Sequence, residues 1–216
     1  MLLNLVKKDS LLVKKYMILM FIAAIILPVF IKMKMEFLAS GGFLAFFIST
    51  LYILFLTFSS VSMSEFKHKG SALLCATPYG RAAIIQSKYL FLLLLFIGCS
   101  ILYTVTSWLV PQQMGMLSLA EFAYCFLILT VVFSIMIPVQ YRLGFEKARY
   151  MFSISIFVVP FIVPVLLKYM QANDISFRWT LPVPAIVQGL LPIVLALAIG
   201  MISMTATIRI YEKQNL

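Results

Sequence analysis

A catalytic or metal site in this chain of 216 residues would have to be built from seven acids, one histidine and three cysteines. The acids, Asp9, Glu36, Glu65, Glu121, Glu146, Asp174 and Glu212, stand singly, and none forms the paired motif that binds magnesium pyrophosphate. His68 is the only histidine, so HExxH and any multi-histidine zinc set are excluded. Set between Lys67 and Lys69, it reads as a solvated surface residue. Cys75, Cys99 and Cys125 are widely spaced and form no CxxC, which predicts reduced packing residues. There is no GxSxG elbow. Gly41-Gly42 lie inside an apolar run without the Lys and Ser/Thr of a phosphate-binding loop, so the chain is not expected to hydrolyse ATP unaided. The hydroxyls Thr104, Thr106, Ser107, Thr205 and Thr207 are expected to bond helix to helix.

The elements that carry these residues are apolar. Hydrophobic residues make up 63% of the chain and charged residues 11%, against roughly half and a quarter in a soluble domain. Long runs without charge on either face must meet lipid or one another, and about 20 such residues cross the hydrocarbon core. The expected spans are Tyr16–Ile31, Leu38–Val61, Tyr89–Val110, Phe122–Val139, Tyr150–Leu167 and Ala185–Ile208. Prolines interrupt the last two. The fold is therefore expected to be all-α, a polytopic membrane protein with six transmembrane helices. The first apolar stretch follows a charged segment and no A-x-A site comes after it, so it reads as a span and not as a cleaved signal peptide.

Charge sets the orientation. The net charge is +10, but the basic residues fall in short segments between apolar runs and not on one solvated face. They read as topology signals, with no nucleic-acid partner. With the N-terminus inside, Lys and Arg divide 13 to 4 in favour of the cytoplasmic side, which puts both termini in the cytoplasm. Ionisable groups are nearly missing within the spans, where a proton or ion relay would need Asp, Glu or His. An apolar pathway with scattered hydroxyls suits an amphipathic or lipid-like cargo, and the 13 Met and 19 Phe offer an adaptable surface.

Residues 1–15 form a separate element. At 100° per residue Leu2, Leu5, Val6, Leu12, Val13 and Tyr16 share one face, and Asn4, Lys7, Lys8, Lys14 and Lys15 the other. Asp9 spoils the apolar face and Leu11 the polar one. This pattern predicts an amphipathic helix in the headgroup plane, ahead of a transmembrane domain at 16–216.

Two inner loops, 62–88 and 140–149, connect the spans on the basic side. In the first, Ser71 can cap a short helix through Thr77, Pro78-Tyr-Gly80 stops it, and a new helix starts at Arg81. Its exposed Leu73, Leu74 and Tyr79 need a cover: lipid, the rest of the protein or a partner. In the second, Gly144 allows a tight turn, Phe145 follows it, and Glu146 can pair with Lys147, Arg142 or Arg149.

The pattern L-L-x-x-x-P-x-x-R-x-x-I-I-x-S-K-Y-L, Leu73 to Leu90, resembles the first cytoplasmic loop of ABC-2 type exporter permeases. The run P-V-Q-Y-R-L-G-F-E-K-A-R, Pro138 to Arg149, is similar to the second loop of a small six-span subfamily that includes the membrane subunits of phenol-soluble modulin and other peptide exporters. The resemblance covers the whole chain in length, span order and loop position. It implies a permease in a bacterial plasma membrane that pairs with a second copy or a homologous permease and moves amphipathic peptide cargo. It also implies an elbow helix at the N-terminus and a coupling helix in the first loop. ATP and Mg would sit on a separate ABC ATPase and no cofactor in this chain. The ATPase would dock on Ser71, Leu73, Leu74, Thr77, Pro78, Tyr79 and Arg81 of the first loop and on Gly144, Phe145, Glu146, Lys147 and Arg149 of the second. Export of a lipid-like or bacitracin-type antibiotic, and a non-transporting scaffold or immunity protein, are the alternative readings. An intramembrane enzyme lacks every constellation sought above.

Overall fold

A computed structural model describes residues 2–34, 42–68, 80–110, 116–154, 169 and 185–213. Among them the elements are α1 (Leu2–Leu12), α2 (Lys14–Lys34), α3 (Phe43–Lys67), α4 (Arg81–Leu109), α5 (Leu119–Leu143), α6 (145–154) and α7 (Ala185–Glu212), with no strand. A helix satisfies its own backbone N–H and C=O groups, which hydrocarbon cannot do for an open chain. Five of these helices, α2, α3, α4, α5 and α7, are long and apolar enough to cross a bilayer. The expected span Tyr150–Leu167 lies mostly outside the described residues, as does the short helix Ser71–Thr77.

The helices run further than the apolar runs alone suggest. The first loop narrows to 68–80, because α3 continues through Glu65 to Lys67 and α4 already begins at Arg81. Gly42 precedes α3 at its N-cap and is not inside the span. The stretch 140–149, read above as a solvated connector, is helical on both sides of Gly144. Gly144 alone breaks it, at φ 86° and ψ 158°, a conformation that essentially only glycine adopts. At its other end α5 starts with a capping box. Ser118 Oγ accepts from the Glu121 N–H at 3.3 Å, and the Ser118 N–H donates to Glu121 Oε2 at 2.7 Å.

The core centres on α3, whose Phe46, Leu51, Leu54, Phe58 and Val61 are buried. Phe46 meets Tyr103 of α4 and Phe122 of α5 edge-on, with ring centroids 4.9 and 5.2 Å apart. α2 is the most exposed of the spans, and α5 packs along α7.

Prolines 28, 138 and 192 sit inside helices without ending them. At Pro138 the structure shows how the missing donor is replaced. Residue 138 has no N–H for the carbonyl of Ser134, and Ser203 Oγ of α7 donates to that carbonyl at 2.7 Å. The other hydroxyls mostly stay at home. Thr104, Thr106, Ser107 and Thr205 each donate to a carbonyl three or four residues back in their own helix, and Thr207 alone of that set also reaches another helix. A hydroxyl in hydrocarbon finds its nearest acceptor one turn away, so the expected helix-to-helix bonds are the exception. Cys99 and Cys125 are free and buried.

Candidate functional site

The ends of α3, α4, α5 and α7 that carry the basic residues gather at one end of the bundle, together with α1. The expected docking residues must be judged there. Arg81 opens α4, and its Nη1 donates to the carbonyl of Glu212 in the last turn of α7 at 3.0 Å. Phe145, just past the Gly144 turn, lays its ring 5.5 Å from that of Phe66 near the end of α3. Arg149 sits over the Phe145 ring at 5.9 Å and points Nη1 at Met63 Sδ, 3.1 Å away. These contacts bring the stem of the first loop against the second. Glu146 and Lys147 are exposed. The ion pair expected for Glu146 does not form among the described residues, and an exposed pair would contribute little. Ser71, Leu73, Leu74, Thr77, Pro78 and Tyr79 lie outside the described residues.

Beneath this surface is a cluster that sequence reasoning missed. Lys88 Nζ, almost fully buried, lies 3.0 Å from Asp9 Oδ2 and 2.7 Å from Glu65 Oε1. Lys8 Nζ lies 2.8 Å from the same Glu65 oxygen and 3.0 Å from Asp9 Oδ1, the second contact without hydrogen-bond geometry. Two cations and two anions thus balance one another where α1, the end of α3 and the start of α4 meet. Burial works against the Lys8 charge, but the Glu65 and Asp9 carboxylates outweigh it and hold its pKa above the ordinary lysine value.

Each member is placed by its helix. Asp9 follows Leu5 and Val6 on the buried face of α1 and is itself fully buried. It does not spoil that face but supplies the ionic contact at its end. Glu65 stands two residues before the end of α3, and Lys88 two turns into α4. Beside them Ile84, Ile85 and Tyr211 form a small buried cluster, with Tyr141 and Tyr211 edge-on at 5.3 Å. The available signal was an acid on the apolar face of a basic amphipathic helix, in a chain with few acids.

A second feature is an apolar cleft between α4, α5 and α7, with a volume of about 440 Å³. Tyr89 Oη on its wall meets Ser203 Oγ at 2.7 Å and Thr207 Oγ1 at 3.1 Å.

Neither the curated proteins nor the solved structures yield a match to this chain. The model of a family described as ABC-2 family transporter protein matches residues 4–212, from α1 through the last turn of α7. That match takes in the five apolar helices and both loop stems gathered at the basic end, and the chain belongs to the ABC-2 family of transporter proteins.

Proposed function

We propose that this chain is the permease subunit of an ATP-driven exporter that moves hydrophobic or amphipathic peptides, of the phenol-soluble modulin kind, out of a bacterial cell. Membership in the family implies a partner ATPase subunit. The observation that carries the reading is the meeting of Phe66 and Phe145, which joins the stems of the two basic loops into one face. A partner docked there touches both loops at once. In this reading the basic end is cytoplasmic, α1 is the elbow helix, and Ser71–Pro78 is the coupling helix seated in the ATPase. Two such permeases enclose the pathway, because one short bundle offers a single wall. The ionic cluster then ties the elbow to both stems of the coupling loop, so a push on the loop also moves α1.

The test is co-purification with a co-expressed ABC ATPase subunit from the same genome, followed by reconstitution in nanodiscs. Amphipathic helical peptides should stimulate hydrolysis several-fold, and a soluble scrambled peptide should not. Hydrolysis that ignores every peptide while responding to a lipid-like antibiotic would replace the peptide cargo. Failure of the ATPase to bind would remove the permease role.

A further inference from the structure

The cleft between α4, α5 and α7 is graded along its length. Three of its polar side chains, Gln86, Tyr89 and Ser134, belong to the parts of α4 and α5 nearer the basic end, and the fourth, Thr130, stands midway along α5. Its wall then continues through Leu93 and Phe96 of α4 and Phe126 and Leu129 of α5, all apolar. From Gln86 to Phe96 the helix rises about 15 Å, which is half of a hydrocarbon core of ~30 Å. Leu2 of α1 also lines the cleft. Leu197 and Met201 of α7, well exposed on the outside of the bundle, border the cleft and open it sideways. No lysine, arginine, aspartate or glutamate among the described residues lines it.

The hydrogen bonds at the polar part can be assigned by counting protons. The Ser203 hydroxyl donates to the Ser134 carbonyl at 2.7 Å, and the Thr207 hydroxyl to the Ser203 carbonyl at 2.8 Å. Each hydroxyl carries one proton, so both can only accept from Tyr89. Tyr89 has one proton for the two of them, and its oxygen receives no donor among the described residues. The Ser134 hydroxyl, on the same wall, is buried and has no partner among them at all. A buried polar group left without a partner costs free energy, so this wall asks for an uncharged group that both donates and accepts.

We propose that the cleft binds a neutral single-tailed amphipath from the adjoining leaflet. Its hydroxyl- or amide-bearing head gives a proton to Tyr89 Oη and receives one from Ser134 or Gln86. Its chain lies against Leu93, Phe96, Phe126 and Leu129. Pockets of a few hundred Å³ lined by apolar side chains, with a few placed polar groups, are the common form of small-molecule sites. A fatty acid would bring an ionised carboxylate beside the Tyr89 acceptor and find no cation in the wall. The site is argued from the cleft alone and does not depend on the peptide cargo.

The full chain, without any ATPase, is placed in phosphatidylcholine nanodiscs and titrated with a monoacylglycerol carrying a diazirine in its chain. A fatty acid with the same labelled chain is the comparison, and cross-links are mapped by peptide mass spectrometry. Saturable labelling of α4 and α5 by the monoacylglycerol is expected, with the fatty acid weaker by about fivefold or more. Gly200→Leu should abolish it. A Cβ at Gly200 meets only Thr130 Cγ2, at 3.6 Å, so the larger side chain enters the cleft. Tyr89→Phe keeps the shape and should erase the preference for the monoacylglycerol, a ratio that a loss of stability would not change. Labelling that does not saturate, that matches the lipid-facing side of α2, or that is equal for the two probes would overturn the proposal. So would indifference to both variants.

Discussion

Lys88 Nζ lies 3.0 Å from Asp9 Oδ2 across 79 residues of sequence, and both side chains are buried. The pair joins a helix that precedes the first span to the helix that follows the first loop. Removing one partner of a buried pair leaves an uncompensated charge, at about 3–5 kcal/mol. Lys88→Met and Asp9→Leu should each lower thermal stability in detergent and expose α1 to protease. The double variant leaves Lys8 and Glu65 to balance each other, and should recover most of the loss. Equal damage in single and double variants would mean that packing, not charge, holds α1.

The pH dependence of Lys8 follows from the same geometry. Its pKa is raised above the ordinary 10.5, so its contribution is fully present below that value and is lost as pH rises through the raised one. Stability should therefore show no Lys8-dependent change between about pH 6 and 9. A Lys8→Met chain compared with the parent by thermal unfolding across that range should show a constant difference.

Gly144 carries positive φ, and a Cβ added there would meet no atom within 4 Å, so substitution brings backbone strain and no clash. Gly144→Ala should cost about 1–3 kcal/mol through the backbone alone. The Phe145 contact with Phe66 should weaken with it, and ATPase co-purification should drop. An unchanged melting temperature would show that the turn relaxes freely.

In the proposed coupling loop, interface energy should concentrate in Leu73 and Leu74, each worth ~2 kcal/mol or more on truncation. Leu73→Asp or Leu74→Asp should abolish ATPase binding while leaving insertion intact. Arg81→Ala should act only partly, since rim charges govern association rate and salt dependence more than affinity. Full binding by both aspartate variants would move the docking site to the second loop.

Orientation has its own measurement. Cysteines placed at Gln112 and Asn173 should react with an impermeant thiol reagent applied to intact cells, and cysteines at Lys69 and Lys147 should not. Labelling of the last two would reverse the 13-to-4 charge argument.

The spans were legible because their signal is local. A run of about 20 apolar residues has one stable state in hydrocarbon, and the backbone hydrogen bonds follow from it. The five long helices, the start of α4 at Arg81 and the family itself could all be read from composition, spacing and two loop patterns. The end of α3 was less legible, because Glu65 looks like a loop residue until a partner allows it to stay helical and largely buried, and the burial of Lys88 on α4 was not legible at all. Asp9 looked like a flaw in α1 for the same reason: its partner lies 79 residues away, and periodicity says which face a residue takes but not what that face meets. The bond from Ser203 to the carbonyl that Pro138 leaves open, and the sharing of one Tyr89 proton between Ser203 and Thr207, arise only when α4, α5 and α7 come together. Hydrogen-bond satisfaction is a property of the assembled bundle, so only the tertiary structure could decide it.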